Sequence, residues 1–553
     1  MSDNAKPRKQ LGELLKEKGI IHDGHIGFTV QEQKVSKEKF GEVLLRLSFV
    51  TEYDIATSLA EQEGLSYLDI SHISPSEKLL KMFPKNLCLN NLMIPVAVKD
   101  QSIDIACAFV PGQALIQLVS RQSGLRPNFY IAEQKKILNT INKLYYFAEN
   151  PIEKQIENEV VALSQDVEMS KGTEDLSKLI LHLAVKMRAS DIHIRPMEKS
   201  TNIAFRIDGV MRSIFSLPVV FNRVVSSLKM KAGMDIAEQR LPQDGRFSVG
   251  ILNSTYDFRV STIVCPNGEN MVIRILAQQS SIMGMAQLGF FEDDVKKVNK
   301  MFDEPHGIVL LTGPTGSGKS TTLYAGIRCL NLLDKNVVTV EDPIEFHIPL
   351  LRQTQVNEKA GYNFSNAIRY FLRHDPDIIL VGEIRDPATA ATAVSAATTG
   401  HLVLSTLHTN TAIGAIPRLN DLGIKHYMIS DSLLGTVSQR LIRRICSNCK
   451  EEYVPSEQEK KYIRDMDVKK LWRGKGCDTC SKTGYLGRTL IYEIFTIDRE
   501  LSEMIAHESD VPSILKTAKS KGFEDVFDVA IKKIKMGVTD YNEIARVLGQ
   551  ARH

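Results

Sequence analysis

The hydrophobic positions of this 553-residue chain change their spacing along its length, and those changes divide it into segments. Up to residue 63 apolar residues recur at helical spacing with turns between, which predicts a module of short helices. Across 64–148 the runs IPVAVKD and SIDIACAFV read as strands and EQKKILNTINKLYYF as a helix, giving a small α/β module. Residues 149–172 carry Glu, Gln, Asn, Ser and Lys with little apolar periodicity and read as a linker. In 173–286 a helix is expected over 175–188 and strands at DIHIRP, NIAFRIDG, YDFRVSTIV and NMVIRIL. The segment PQDG, 242–245, reads as a turn. Residues 287–553 hold buried strands with helical stretches between them and a helical tail after about 497.

The first segment contains a repeat. Residues 10–33, QLGELLKEKGIIHDGHIGFTVQEQ, align with residues 39–62, KFGEVLLRLSFVTEYDIATSLAEQ, at an offset of 29. Gly12 then matches Gly41, Glu13 matches Glu42, Ile26 matches Ile55 and Gln33 matches Gln62. Each unit reads as helix, turn, helix, and Thr51 with Asp54 forms a capping box for the last helix.

Composition adds limits rather than a function. At 43 % hydrophobic and 24 % charged, the chain is an ordinary globular one, and its length suggests roughly three to four domains. A net charge of +3 gives no electrostatic footprint for nucleic acid. No apolar run approaches the ~20 residues that span a bilayer, and the charged N-terminus lacks a signal-peptide core. A cytoplasmic location is expected, with any membrane role exercised through partners.

The strongest chemical signal follows the apolar run Gly307 to Leu311. Residues 313–321, GPTGSGKST, fit G-x-x-x-x-G-K-[ST]: Gly313, Pro314, Thr315, Gly316, Ser317, Gly318, Lys319, Ser320 and Thr321. A helix-compatible stretch from Ser320 to Leu330 comes next. Glycines let backbone N–H groups turn in around phosphate oxygens, and the helix N-terminus adds its positive dipole end. Lys319 can neutralise β- and γ-phosphates, and the Ser320 hydroxyl can ligate Mg²⁺, so ATP and Mg²⁺ are the expected ligands.

Three apolar strands downstream end in chemistry. VVTVEDPIEFHIP leads into Glu341, Asp342 and Glu345; DPDIILVGEIRD carries Glu383; GHLVLSTLHTN carries His401 and His408. Acids and histidines at strand ends beside a phosphate loop suit Mg²⁺ binding, water activation and γ-phosphate sensing in phosphoryl transfer to water.

Of eight cysteines, Cys88, Cys107, Cys265 and Cys329 are scattered and read as core-filling thiols. Cys446, Cys449, Cys477 and Cys480 form two C-x2-C pairs 27 residues apart, the spacing of a four-thiolate structural Zn²⁺ site. Redox thiols or disulfides are the alternative, disfavoured in a cytoplasmic setting.

Together these segments resemble the Walker A, Asp-box, Walker B and His-box motifs of the secretion and type IV pilus ATPase family. RASDIHIRP, RIDGVMR, LPQDGR and VSTIVCPNGENMVIRIL also resemble that family, as do the paired cysteines of its secretion and pilus-extension members. The resemblance is dense over about 173–500. It implies an α/β fold with a RecA-like phosphate-loop ATPase core in 287–553, carrying a zinc insertion at 446–480, and a PAS-like α/β domain in 173–286. It further implies a homo-hexamer that hydrolyses ATP to drive pilin or pseudopilin assembly, in type IV pilus biogenesis or type II secretion. Its partners would be an inner-membrane platform protein and a cytoplasmic docking protein of the membrane complex, with the motor peripheral at the inner membrane. By position, Glu341 corresponds to the family's Asp-box glutamate and Glu383 to the Walker B glutamate, with Gly382 where many phosphate-loop enzymes have Asp. The base remains open between Glu341 and Glu383, with Glu345 a further candidate. Arg206, Arg212, Arg246, Arg259 and Arg274 lie in family-like segments, as arginine fingers or as structural ion pairs.

The N-terminal repeat resembles a 24-residue cyclic-di-GMP-binding motif found in some members. Its leading Arg is Gln10 in the first copy and Lys39 in the second; the central Gly is Gly19 and then Ser48, and one apolar position is Lys16. The alternative for this region is a protein-docking module. Two other functions compete with the motor: a non-hydrolysing, nucleotide-gated regulatory subunit, opposed by intact Lys319, Glu341 and Glu383, and a RecA-like nucleic-acid translocase, opposed by the near-balanced charge.

Overall fold

The structure is a computed structural model that describes residues 10–71, 73–165, 170–218, 223–252, 254–277 and 283–549. The chain divides into two compact units, one comprising Met1–Ile55 and Ser281–His553, the other Ala56–Ser280.

The repeat folds as α1 (Leu11–Glu17), α2 (Asp23–Ser36), α3 (Phe40–Arg46) and α4 (Glu52–Gln62). Its two copies share backbone geometry bond for bond. Gly19 N–H donates to Lys16 O and Ile20 N–H to Leu15 O; Ser48 N–H donates to Leu45 O and Phe49 N–H to Leu44 O. Gly19 has φ +67° and Ser48 has φ +60°, so the serine occupies the left-handed conformation that its glycine counterpart takes freely. Thr51 and Asp54 form the expected capping box: Thr51 N–H donates to the carboxylate at 2.7 Å, and Asp54 N–H to Thr51 Oγ1 at 3.0 Å. Leu15, Ile21, Val43 and Leu44 make a core against which Leu333 and Leu350 pack.

In the second unit, β1 (Ser66–Tyr67), β2 (Met93–Lys99), β3 (Ser102–Cys107) and β4 (Arg126–Ile131) form a sheet of order β1-β4-β3-β2, and a helix over Gln134–Glu149 buries Ile137 and Ile141 in its core. Residues 149–172, expected as a linker, hold a helix over Ile152–Gln165 and the start of another at Ser170–Lys186; 166–169 lie outside the described residues. Ile152 and Ile156 give the first of these helices an apolar stripe buried with Leu176 and Ile180 of the second, and the many polar residues between them hid it. Six antiparallel strands follow: β5 (Ala189–Pro196), β6 (Ser200–Ile207), β7 (Val210–Pro218), β8 (Gln243–Ile251), β9 (Ser254–Cys265) and β10 (Gly268–Ala277), in the order β7-β6-β5-β10-β9-β8. The expected turn at 242–245 is instead the start of strand β8. Gly245 sits where a Cβ would come 2.4 Å from Ala232 O, so this glycine serves a close backbone approach, not a reversal.

The nucleotide-type sheet lies in the first unit. Its strands are β11 (Gly307–Thr312), β12 (Val337–Glu341), β13 (Arg352–Gln355), β14 (Ile378–Val381), β15 (Leu402–Leu407), β16 (Leu433–Ile445) and, beyond a small hairpin of β17 (Lys450–Tyr453) and β18 (Leu471–Gly474), β19 (Tyr485–Thr496). The order is β13-β12-β14-β15-β11-β16-β19, parallel throughout except the β16/β19 pair. β11, β12, β14 and β15 are buried along their whole length, as expected for parallel strands covered by helices on both faces. Helices over Arg499–Ala506, Val511–Ser520, Val526–Lys535 and Tyr541–Leu548 make up the tail.

Candidate functional site

Parallel β11 delivers the chain to the carboxyl edge of the sheet, where residues 313–318 turn and the helix Lys319–Cys329 begins. Gly313 (φ +134°) and Gly318 (φ +90°) adopt conformations closed to other residues, and a Cβ on Gly313 would lie 2.4 Å from Gln439 O. The Lys319 amine donates to Gly313 O at 2.9 Å and Pro314 O at 3.2 Å, so it lies folded over the loop it would share with phosphates. Burial pushes Lys319 below the ordinary lysine range, and the charge of Glu383 works against that shift.

The loop opens onto a cleft of about 470 Å³. Thr315 to Thr321 line it, together with Glu341, Glu345, Glu383 and His408. Glu341, at the end of β12, is buried and held from three sides. Tyr324 of the loop helix donates to one carboxylate oxygen; Thr339 Oγ1 donates to the other at 2.7 Å and Gln353 Nε2 at 3.2 Å. Glu383, two residues past β14, pairs with Arg385, and His408 Nε2 stands 3.6 Å from its other oxygen. Between β14 and Glu383, a Cβ on Gly382 would come 3.3 Å from Val340 O and from the Phe364 ring. An aspartate there would be crowded, which accounts for the glycine. Ser320 and Glu383 both face the cleft and fit the oxygen-ligand chemistry of Mg²⁺.

Sequence reasoning missed Tyr324, Gln353 and Arg385. Arg385 stands two residues from Glu383 and could have been found there; Tyr324 and Gln353 carry no local signal. His401 lies apart from these groups. It precedes β15, at the opposite end of a six-residue strand from His408, roughly 20 Å away by strand rise. Its Nδ1 lies 2.9 Å from Ala396 O, and its carbonyl accepts from Gly307 N–H at the start of β11. It is a strand-start residue, outside this chain's cleft.

The arginines belong to the antiparallel sheet of the other unit. Arg246, Arg259 and Arg274 stand directly opposite one another across β8, β9 and β10; Asp191 follows in β5 and Arg206 in β6. Asp191 pairs with Arg274 at 3.2 Å and Arg206 at 3.5 Å. Asp191 and Asp244 line a cleft of about 550 Å³ with Arg246, Arg259 and Arg274. Arg212 lies opposite Phe205 in the β6/β7 ladder.

The four late cysteines converge. Their sulfurs lie within 4.8 Å of one another, with Cys446–Cys477 and Cys449–Cys480 at 3.8 Å and Cys477–Cys480 at 3.7 Å. Those separations are far beyond a disulfide bond, and a tetrahedron with Zn–S of about 2.3 Å places its sulfurs about 3.8 Å apart. The donor set fits zinc. Burial works to raise the Cys480 thiol, but the N–H groups of Cys477 and Gly484, together with the thiols of Cys477 and Cys449, outweigh it and lower it from its ordinary range. Among the other thiols Cys88 and Cys107 are buried as expected, whereas Cys265 is half-buried and Cys329 exposed.

A parallel sheet with a phosphate loop and acids at its carboxyl edge defines a RecA-like phosphate-loop ATPase. Residues 166–546 match the family described as Type II/IV secretion system protein, and residues 63–151 match the MshEN domain. The type II secretion system ATPase E of Vibrio cholerae is 43 % identical over 393 residues, 69 % of this chain and 77 % of that protein. The type IV pilus assembly ATPase PilB of Myxococcus xanthus is 34 % identical over 563 residues, covering 97 % of this chain and 98 % of that one. The solved ATPase DotB of Legionella pneumophila shares the fold, with TM-score 0.51 and 20 % identity over 69 % of this chain and 98 % of that chain. The chain belongs to the type II/IV secretion system protein family, and it is an ATPase.

Proposed function

We propose that this ATPase is a motor that hydrolyses ATP to drive pilin or pseudopilin assembly, working as a homo-hexamer at the cytoplasmic face of the inner membrane. The observation that carries the reading is the convergence of Lys319, Ser320, Glu341, Glu383 and His408 on one cleft at the carboxyl edge of the sheet. Among the described residues no helix is long and apolar enough to cross a membrane, so attachment would run through an inner-membrane platform protein and a cytoplasmic docking protein.

In this scheme backbone N–H groups of 315–320 hold the phosphates and Lys319 leaves its carbonyl contacts for the β- and γ-phosphates. Ser320 and Glu383 would hold Mg²⁺, which would neutralise charge on those phosphates. Glu341, fixed by Tyr324, Thr339 and Gln353, orients the attacking water and takes its proton as the oxygen bonds to the γ-phosphorus and the bond to ADP breaks. Glu345, exposed on the turn beyond Glu341, is the secondary candidate for that step. His408 senses the γ-phosphate beside Glu383. Arg206, Arg212, Arg246 and Arg274 are the candidate fingers. Asp191 engages Arg206 and Arg274, which supports the structural ion-pair alternative for those two. Cys446, Cys449, Cys477 and Cys480 would hold structural Zn²⁺.

The N-terminal region would take cyclic-di-GMP as a regulator. The MshEN match at 63–151 and the shared turn geometry of the repeat support this. Steady-state hydrolysis measured with and without DNA tests the central claim. Turnover unaffected by DNA is expected; strong stimulation by DNA would favour a translocase, and no turnover a regulatory subunit.

A further inference from the structure

Beneath the phosphate loop lies a buried amide that the ATPase chemistry above does not use. β11 ends at Thr312, which pairs with Ser438 of β16. The next residue of β16 is Gln439, fully buried. Its Nε2 donates to the carbonyl of Ser317 at 2.9 Å. Its own backbone carbonyl fills the space a Cβ on Gly313 would take, at 2.4 Å, and its amide nitrogen lies 3.3 Å from where a Cβ on Gly318 would be. One residue thus touches both fixed glycines and the peptide between them.

The chemistry of the loop explains the need. To cradle phosphate, successive N–H groups must point inward, so the intervening carbonyls must point away. A carbonyl turned away from the ligand into the protein interior requires a donor there. The Ser317 carbonyl receives its donor from Gln439. The remaining acceptor of that side chain, Oε1, is buried without a protein partner, as is the Ser317 hydroxyl. A polar group left in that condition is not explained by packing, since leucine or methionine would fill the space without the desolvation cost.

We infer that Gln439 is a positioning residue for the phosphate loop: its side-chain N–H holds the Ser317 carbonyl out of the cradle and so sets nucleotide affinity. This rests on the loop being the nucleotide site.

The test uses the full-length protein with ADP and ATP as ligands. Gln439→Met keeps length and apolar volume but removes the donor. It should raise Kd for ADP and KM for ATP about tenfold, the worth of one such hydrogen bond, while kcat moves less than about threefold. Gln439→Glu supplies the readout that a packing role would not move. Protonated, the acid can donate to Ser317 O; ionised, it can only accept and would also repel phosphate. Nucleotide affinity of this variant should fall as pH rises through the titration of the carboxyl, a step absent from the wild type. Wild-type affinity in the Met variant, or a Glu variant with the pH profile of the wild type, overturns the inference. If the Met variant does not fold, the Glu profile alone decides. Lys319→Ala, run in parallel, separates the two claims: undiminished nucleotide binding there would reject the loop as the site, whatever position 439 does.

Discussion

The hydroxyl of Tyr324 donates to the carboxylate of Glu341, joining the helix that opens at the phosphate loop to the end of the neighbouring strand β12. Burial and the adjacent carboxylate both raise the phenol far above its ordinary range, so it remains a donor at any working pH. The ring also meets Phe346 edge-on at 5.4 Å, so packing holds the donor in place. Any shift of the loop helix therefore bears directly on the orientation of Glu341.

Tyr324→Phe isolates that relationship, because it keeps the ring and deletes the donor. A hydrogen bond to a charged group is worth about 1.5–3 kcal/mol, so kcat should fall roughly tenfold or more with little change in KM for ATP. Steady-state kinetics beside a thermal melt would check it. Unchanged kcat in a folded variant would reject the Tyr324 hydroxyl as a positioning group for Glu341.

Lys319→Ala should abolish hydrolysis while leaving the fold intact. The lysine is bound only to loop carbonyls here, yet it carries the charge intended for the β- and γ-phosphates. Its loss should cost roughly 10²-fold or more in turnover. Near-normal turnover by the purified variant would reject the site.

How much of this was readable in advance depended on whether the signal was local. The phosphate loop needs glycines, lysine and serine at fixed spacing, and Gly313 to Thr321 stand where that spacing puts them. The thiol tetrahedron was legible for the same reason. The Tyr324–Glu341 contact joins residues 17 apart on a helix and a strand, and no periodicity marks it. A motif gives position in sequence but not which end of a strand a residue occupies, so the separation of His401 from His408 was not readable. PQDG was misread because proline, aspartate and glycine are turn formers, while a tight approach to Ala232 can also require glycine.

Metal analysis of the purified protein should give about one zinc per chain. Cys446→Ser should destabilise the C-terminal part, because it removes one of the four converging thiols and metal binding contributes folding energy. Four titratable thiols and no zinc in native protein would favour the redox reading.

Lys533 gives a pH dependence with a definite sign. It is buried, donating to Gly289 O at 2.6 Å and Leu490 O at 2.5 Å, and burial pushes it down from 10.5 to about 8. Between about 8 and 10.5 the unfolded chain holds a proton that the folded one has released, so stability should rise with pH over that window. Lys533→Met should flatten the rise. Denaturant unfolding at several pH values would show it, and identical slopes in both proteins would rule out the lysine as the cause.

The last prediction concerns the repeat. Gln10 and Lys39 each stand at the N-terminus of a helix, where their backbone N–H groups bond to Glu13 at 3.1 Å and Glu42 at 2.9 Å. Both are exposed, in positions where the motif carries arginine. A guanidinium can stack on a base and hold a phosphate through two bonds; an amide or ammonium can do only part of this. Changing Gln10 and Lys39 together to arginine should therefore tighten cyclic-di-GMP binding by about tenfold or more. The turns at Gly19 and Ser48 already share one backbone conformation, so the scaffold needs no rearrangement. Calorimetry on the full-length wild type and double variant would measure the gain. Heat from neither would leave the region as a protein-docking module, and tight binding by the wild type would show that Gln10 and Lys39 suffice without guanidinium groups.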